Sequence, residues 1–172
     1  MIVKGGPGTG KSVVAVNLLA ELTKEDQFCQ YVSKNSAPRN VYRKKLKGSI
    51  RKSSVDNMFK GSGLYTETDN NMIDTILVDE AHRLNEKSGM FHNMGENQIK
   101  EIIHAAKCSV FFIDESQRVT LQDIGRVDEI RKWAEEEKLR LQRWNWCLSS
   151  GANGSDGYLA WLDHTLEIRD TA

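Results

Sequence analysis

Apolar residues occur along this chain in short runs separated by longer polar or amphipathic stretches. Four of these runs have the length and the Ile, Val, Leu and Phe content of buried strands. They lie at residues 2–4, 28–33, 74–79 and 108–114. Helices are predicted between and after them, at residues 12–24, 37–47, 97–107, 127–138 and 157–168. Strands that alternate with helices predict an α/β fold with a central parallel sheet and helices on both faces.

Two stretches do not fit this alternation. Residues 48–71 are polar and contain glycine, so we expect an irregular insertion there, and residues 139–151 show no clear periodicity.

The first helix is predicted to direct one apolar stripe inward. That stripe consists of Val13, Val16, Leu19 and Ala20.

Length and composition indicate one soluble domain. The chain has 172 residues, of which 39% are hydrophobic and 28% charged, and it contains no apolar run of the roughly 20 residues that a membrane helix needs. The three cysteines are widely spaced and form no Cys-x-x-Cys pair, so neither a disulfide framework nor a zinc site is indicated. We expect a cytoplasmic protein without a signal peptide.

Charge is balanced overall but unevenly distributed. The chain carries 24 basic and 24 acidic residues, yet the stretch from Lys34 to Lys60 holds nine Lys or Arg and one acid, Asp56. Two interpretations remain open: a solvated helix face followed by a loop, or a surface that binds a polyanion such as nucleic acid.

The first dozen residues predict a phosphate-binding loop for ATP or GTP. Gly5 to Ser12 reads Gly-Gly-Pro-Gly-Thr-Gly-Lys-Ser, which fits G-x-x-x-x-G-K-[ST]. Glycine lets backbone N–H groups converge on phosphate oxygens, and the positive end of the following helix dipole favours the same anion. We expect Lys11 to reach the β- and γ-phosphates and Ser12 to ligate Mg²⁺. The predicted nucleotide-binding residues are Gly6, Pro7, Gly8, Thr9, Gly10, Lys11, Ser12 and Val13.

A second candidate site follows the apolar run Ile76-Leu77-Val78. Asp79 is placed to hold Mg²⁺, and Glu80 is placed to orient and deprotonate an attacking water. The alternative is a strand followed by an acidic helix cap. His82 is either a structural histidine or part of a relay of nucleotide state.

A third candidate is Gln117, which follows the run Phe111-Phe112-Ile113. Because the tips of parallel strands converge on the ligand crevice, Gln117 is a candidate sensor of the γ-phosphate or of the attacking water. An ordinary loop is the alternative.

These pieces, in this order, resemble superfamily 1 helicase motors of the P-loop NTPase class. The closer resemblance is to the Schlafen group 3-like DNA/RNA helicase domain of bacterial proteins, and it covers nearly the whole chain. The strings that carry it lie at residues 3–12, 31–39, 79–89, 95–99, 112–120 and 154–163.

The resemblance implies a RecA-like P-loop domain that hydrolyses ATP with Mg²⁺. It assigns Lys11 and Ser12 to phosphate and Mg²⁺, Asp79 and Glu80 to metal and catalytic base, and Gln117 to γ-phosphate sensing. It also implies that the segment 33–39 lies against single-stranded DNA or RNA. The residues it indicates there are Ser33, Lys34, Asn35 and Arg39.

The chain departs from the family pattern in three ways. It starts almost at the phosphate loop, and it corresponds to the first of two RecA-like domains, so a second such domain, in cis or in trans, is an expected partner. It also lacks the family's Ser-Gln-Phe-Arg, since residues 148–151 read Leu-Ser-Ser-Gly. One back-translation of residues 138–151, read from its third base, does encode that motif, so we hypothesise a compensated frameshift that gene sequencing tests. Genuine divergence is the alternative.

Three functions follow from the sequence. The first is the ATPase core of a helicase-like motor, weak or inactive as an isolated chain. The second is a nucleotide-binding remnant in which hydrolysis is crippled. The third is a small-molecule P-loop kinase, for which the sequence offers no arginine-rich lid.

Overall fold

The computed structural model describes residues 1–46, 51–89, 93–118, 120 and 122–145, with the backbone alone described at 143–145. Its centre is a sheet of six strands in the order β3-β2-β4-β5-β1-β6, in which every pairing is parallel. The strands are β1 Ile2–Lys4, β2 Cys29–Ser33, β3 Phe59–Gly61, β4 Ile73–Val78, β5 Ala106–Ile113 and β6 Arg143–Asn145. The α-helices are α1 Lys11–Lys24, α2 Ser36–Leu46, α3 Lys52–Met58, α4 Gln98–Ala105 and α5 Val127–Glu136.

Helices cover both faces of the sheet because the central strands are apolar on both sides. Alternate residues of β4 and β5 enter two separate clusters, since successive side chains of a strand point to opposite faces. One cluster packs Ile76, Val78, Phe111 and Ile113 against α4 and α5. The other packs Leu77, Val110 and Phe112 against α1 and α3. The predicted fold class is therefore confirmed as α/β with a parallel sheet and the arrangement of a RecA-like domain.

Local sequence fixes the ends of the helices. Asn97 caps α4, and its side-chain oxygen accepts hydrogen bonds from the N–H groups of Ile99 at 2.9 Å and Lys100 at 3.3 Å. The residue before α1 is Gly10, in the left-handed region with φ 83°. A residue with a Cβ adopts that conformation only at a cost, so the glycine permits the sharp entry from loop to helix.

The predicted strands and helices agree with the structure to within about two residues at most ends, with three corrections. The stretch 48–71 is not an irregular insertion, since it contains α3 and the edge strand β3. Phe59 supplies the reason: it is buried and its ring lies 5.6 Å from those of both Tyr31 and Tyr42. Isolated apolar and aromatic residues in a polar stretch gave too little periodicity to predict a strand.

The second correction concerns α1. Leu19 is buried and Val16 packs against the core, but Val13 is 51% exposed and Ala20 is also exposed. The buried positions include Ala15 instead, because the helix is rotated so that its Ala15–Leu19 edge faces the sheet. The third correction is β6, in the stretch without clear periodicity. It pairs in parallel with β1, and the N–H of Ile2 donates to the carbonyl of Gln142 at 2.8 Å.

Strand order determines what meets at the carboxyl edge of the sheet. Since β5 lies between β4 and β1, the segments that follow these three neighbouring strands emerge side by side. The predicted helix at 157–168, the string at 154–163 and residues 146–151 lie outside the described residues. Within the described part, no helix combines the length and apolar character needed to cross a membrane.

Candidate nucleotide-binding site

The phosphate loop lies between β1 and α1, at the carboxyl edge of the sheet. Gly8, with φ 69°, and Gly10 both adopt left-handed conformations that favour glycine. A Cβ at Gly5 would lie 2.8 Å from the hydroxyl oxygen of Thr9, so this position is also too tight for a side chain. The Thr9 hydroxyl donates to the Gly6 carbonyl at 2.9 Å, which closes the loop on itself. These features produce the compact turn that the motif predicts.

Lys11 lies over the loop, and its ammonium group donates hydrogen bonds to backbone carbonyls of that loop. Its Nζ donates to the carbonyls of Gly5 at 2.7 Å and Gly6 at 2.5 Å, and it lies 4.0 Å from Oδ2 of Asp114. Burial lowers the pKa of Lys11, while Asp114, Asp79 and Glu80 act in the opposite direction. A partly buried cation that lies beside one carboxylate and within the electrostatic influence of two others is suited to exchange its carbonyl contacts for phosphate oxygens.

Asp79 is held rigidly directly after β4. Its side chain is 2% exposed, and its N–H donates to the carbonyl of Val32 at 2.8 Å. One carboxylate oxygen accepts from the Tyr31 hydroxyl at 2.5 Å, and the other accepts from the N–H of Glu80 at 3.0 Å. Burial, together with the charge of Asp79, raises the pKa of Tyr31, so that hydroxyl remains a donor. Tyr31 is a positioning residue that sequence reasoning missed, because its contact spans 48 positions.

Glu80 follows in an unusual backbone conformation. With φ 51° and ψ 44° it is in the left-handed region, where a residue with a side chain is strained. Its carboxylate is partly exposed, and Oε2 accepts a hydrogen bond from the Asn35 side-chain amide at 2.8 Å. The structure thus places Glu80 beside Asp79 and within electrostatic range of Lys11.

Asp114 is a site residue that the sequence prediction did not select. It follows β5 and is 7% exposed. Its Oδ1 accepts from the N–H and hydroxyl of Ser116 at 3.1 and 2.6 Å, whereas Oδ2, which faces Lys11, has no hydrogen-bond partner among the described residues. The available signal was an Asp at the end of a buried apolar strand, the same signal that identified Asp79.

His82 lies between these groups in the 3₁₀ turn after Glu80. It is 3% exposed, and its Nδ1 accepts from the N–H of Asp114 at 3.4 Å. Burial lowers the pKa of His82, against the opposing influence of Glu80 and Asp114. The neutral imidazole therefore connects the segments after β4 and β5, which fits both the structural and the relay interpretation.

Gln117 lies in the short 3₁₀ turn Glu115–Gln117 after β5. Its N–H donates to the carbonyl of Asp114 at 3.1 Å, and its side chain is half-buried. Its element is thus anchored to a residue that faces Lys11. The assignment of Gln117 as a sensor stays a prediction.

The predicted nucleic-acid segment, residues 33–39, spans the end of β2, the two-residue connection after it and the first residues of α2. The Ser33 hydroxyl donates to the carbonyl of Asn35 at 2.8 Å. The Arg39 guanidinium donates to the backbone carbonyls of Ser33 and, at 2.9 Å, of Asn35. Lys34 donates to the side-chain oxygens of Asn85 at 2.9 Å and Asp123 at 3.2 Å. Of the four indicated side chains, Asn35 is the one directed to Glu80, and Lys34 and Arg39 are engaged within the protein.

The remaining basic residues are distributed on α2 and beyond. Arg43 pairs with Asp56 at 3.6 Å, while Lys44 and Lys45 are exposed and have no ion-pair partner in the described part of the chain. Exposed, unpaired cations are the kind that contact phosphates, so both interpretations of the basic stretch remain possible.

The donor set fits a Mg²⁺-bound nucleoside triphosphate. Mg²⁺ prefers hard oxygen ligands and is commonly held by one or two carboxylates or hydroxyls together with substrate phosphates. Ser12, Asp79 and the unpartnered Oδ2 of Asp114 supply such oxygens around the loop. The predicted residues Lys11, Ser12, Asp79 and Glu80 therefore share one edge of the sheet.

Comparison with known proteins agrees with this geometry. The family model described as "Schlafen group 3, DNA/RNA helicase domain" matches residues 1–172. Among curated proteins, the chain is similar to "Uncharacterized protein YPL245W" of Saccharomyces cerevisiae (strain ATCC 204508 / S288c), with 25% identity over 134 residues. That match covers 70% of this chain and 30% of the yeast protein, so the chain spans less than a third of that relative's length.

Proposed function

The chain belongs to the Schlafen group 3 DNA/RNA helicase domain family, and from this premise we propose that it binds Mg²⁺-ATP and hydrolyses it in response to DNA or RNA. In the complete protein this domain would act with a second RecA-like domain. The observation that carries the proposal is the convergence, at one sheet edge, of the Lys11 loop with the buried acids Asp79 and Asp114 and with Glu80.

Each residue has a role that follows from its position. Lys11 neutralises the β- and γ-phosphates, and the loop N–H groups with the α1 dipole hold the remaining negative charge. Ser12 and Asp79 hold Mg²⁺, which when bound neutralises charge on the phosphates. Asp79 is suited to this role because the Tyr31 hydroxyl and the Glu80 N–H fix the direction of its carboxylate.

Glu80 is the proposed general base. Its carboxylate is partly exposed and can accept a proton from a water that attacks the γ-phosphorus. Gln117 is proposed to orient that water or sense the γ-phosphate, since its turn is bonded to Asp114. The coupling to nucleic acid is assigned to the segment at residues 33–39 and to the exposed lysines of α2.

The test is ATP hydrolysis under single-turnover conditions, with and without single-stranded DNA or RNA. Glu80→Gln keeps the shape of the side chain and removes the carboxylate that acts as the base. We expect turnover to fall by about 10²-fold or more, with Mg²⁺-ATP affinity little changed. Glu67→Gln is the matched control, because Glu67 is exposed and has no ion pair in the described structure.

The outcomes separate the alternatives. Equal turnover in wild type and Glu80→Gln would contradict the assignment of the base. Tight Mg²⁺-ATP binding without any hydrolysis would favour the binding-only alternative, and phosphate transfer to a small acceptor in preference to water would favour a kinase.

A further inference from the structure

We propose that Asn35 is a positioning residue that restrains the Glu80 carboxylate until nucleic acid contacts the segment at residues 33–39. This rests on the proposed function of Glu80 as general base. It deepens that function by naming the contact through which nucleic acid would change the rate of hydrolysis.

The first support is the contact itself. The Asn35 amide nitrogen lies 2.8 Å from Oε2 of Glu80, across 45 residues of sequence. The two residues follow β2 and β4, which are neighbours in the sheet. This hydrogen bond therefore joins the segment proposed to meet nucleic acid directly to the side chain proposed to activate water.

The second support is the rigidity of everything around that contact. The Glu80 backbone is fixed in a left-handed conformation, and its N–H is bonded to Asp79. The Asn35 carbonyl accepts from the Ser33 hydroxyl and from Arg39. Both backbones are thus fixed, and the freedom that remains is rotation of the two side chains, which their hydrogen bond removes.

The third support is exposure. Asn35 is exposed, whereas Asp79 and Ser33 on either side of the contact are buried. Phosphate and base oxygens are hydrogen-bond acceptors that can compete for the Asn35 amide. Once the amide turns to nucleic acid, the Glu80 carboxylate is free to rotate towards the attacking water.

The experiment compares Asn35→Ala with the matched control Asn40→Ala. Asn40 has the same side chain, is also exposed, and lies in α2 without a contact to Glu80. We expect Asn35→Ala to raise basal single-turnover hydrolysis by about 3–10-fold, the size expected for the net contribution of one ordinary hydrogen bond. The ATP concentration at half-maximal rate should not change, and stimulation by a 20-nucleotide poly-dT strand should fall towards one-fold.

Three results would overturn the proposal. A lower rate in Asn35→Ala would mean that Asn35 holds Glu80 in its productive position. Unchanged basal rate and stimulation would mean that the contact has no role. A change of the same size in the Glu80→Gln background would show that the effect does not pass through Glu80.

A second readout does not depend on turnover. The side-chain carboxyl carbon of Glu80, labelled with ¹³C and assigned with Glu80→Gln, should shift in Asn35→Ala and not in Asn40→Ala. Addition of the poly-dT strand to wild type should move that resonance towards its position in Asn35→Ala, and a resonance that does not respond would refute the proposal. If wild type fails to bind Mg²⁺-ATP in calorimetry, the proposed function fails, while this resonance still tests the contact.

Discussion

The phosphate loop and the turn after β2 each place a lysine near a buried aspartate, and they use it differently. Lys11 bonds to the carbonyls of its own loop and lies 4.0 Å from Asp114. Lys34 lies 3.2 Å from Asp123 and also bonds to Asn85. The first lysine is held by its own loop at a distance from its aspartate, and the second bonds directly to its aspartate and to Asn85.

The aspartates show the same contrast. Asp123 is fully buried, accepts from the N–H of Thr120 at 3.0 Å and lies 3.4 Å from the Arg83 guanidinium. Asp114 keeps one oxygen without a hydrogen-bond partner among the described residues. A buried polar atom without a partner is costly and marks a position that a ligand can complete. This contrast supports the proposal that the loop binds the ligand and that the residues around Asp123 support the structure.

The substitution expected to have the largest effect is Lys11→Ala, which tests the proposed ligand site in the loop. We expect Mg²⁺-ATP binding to be lost, since two charge-assisted contacts to phosphate amount to about 3–6 kcal/mol. Calorimetry measures the affinity, with Lys24→Ala as the control, because Lys24 is exposed at the far end of the same helix and its ion pair among the described residues is with Glu21. Equal affinity in Lys11→Ala and wild type would refute the site.

The converse variant is Asp123→Asn, which should destabilise the fold and leave Mg²⁺-ATP affinity unchanged. Removing the charge breaks pairs with Lys34 and Arg83, each partly exposed, so we expect a loss of about 2–4 kcal/mol in the free energy of unfolding. For a chain of this size the melting temperature should fall by about 5–15 °C. Asp56→Asn, in the half-exposed pair with Arg43, should change the melting temperature little. If Asp123→Asn melted at the same temperature as the wild type, the proposed structural role of Asp123 would be wrong.

His82 should make the free energy of unfolding depend on pH. Its pKa is lowered in the fold, so the unfolded chain binds more protons, and stability is complete above the unfolded value of about 6.5. As the pH falls below 6.5 towards the folded pKa, stability should decrease by at most about 1.4 kcal/mol per pH unit. Urea unfolding at several pH values should show this slope, and His82→Gln should flatten it. His104→Gln is the control at an exposed histidine, and an equal slope in His82→Gln would contradict the assignment.

The smallest expected effect concerns α2. If the exposed Lys44 and Lys45 contact phosphates, single-stranded nucleic acid should bind weakly and lose affinity steeply with salt. Replacing both with Gln should reduce the slope of log affinity against log salt by about 1.4, at roughly 0.7 per contact. Fluorescence anisotropy measures the slope, and Lys24→Gln is the control. A salt-insensitive wild type would favour the solvated-face interpretation.

Prediction from sequence succeeded where local pattern carried the information. The apolar runs of β4 and β5 are buried on both faces, so composition alone indicated buried strands. The compact loop at residues 5–12 was predictable because its glycines, lysine and serine are adjacent in the chain, and its binding of phosphate stays a prediction. Prediction failed at β3 and β6, which are edge strands of three residues each, because their pairing partners and not their own patterns define them.

The sequence by itself determined the order of the elements, the phosphate loop, and the acids at the end of β4, because each depends on neighbouring residues. Only the tertiary structure decided that Asp114 faces Lys11, that Tyr31 orients Asp79, and that Asn35 bonds to Glu80. These contacts join residues separated by tens to over a hundred positions. The physical reason is the sheet order, which brings the ends of distant strands to one edge, and no local pattern contains that order.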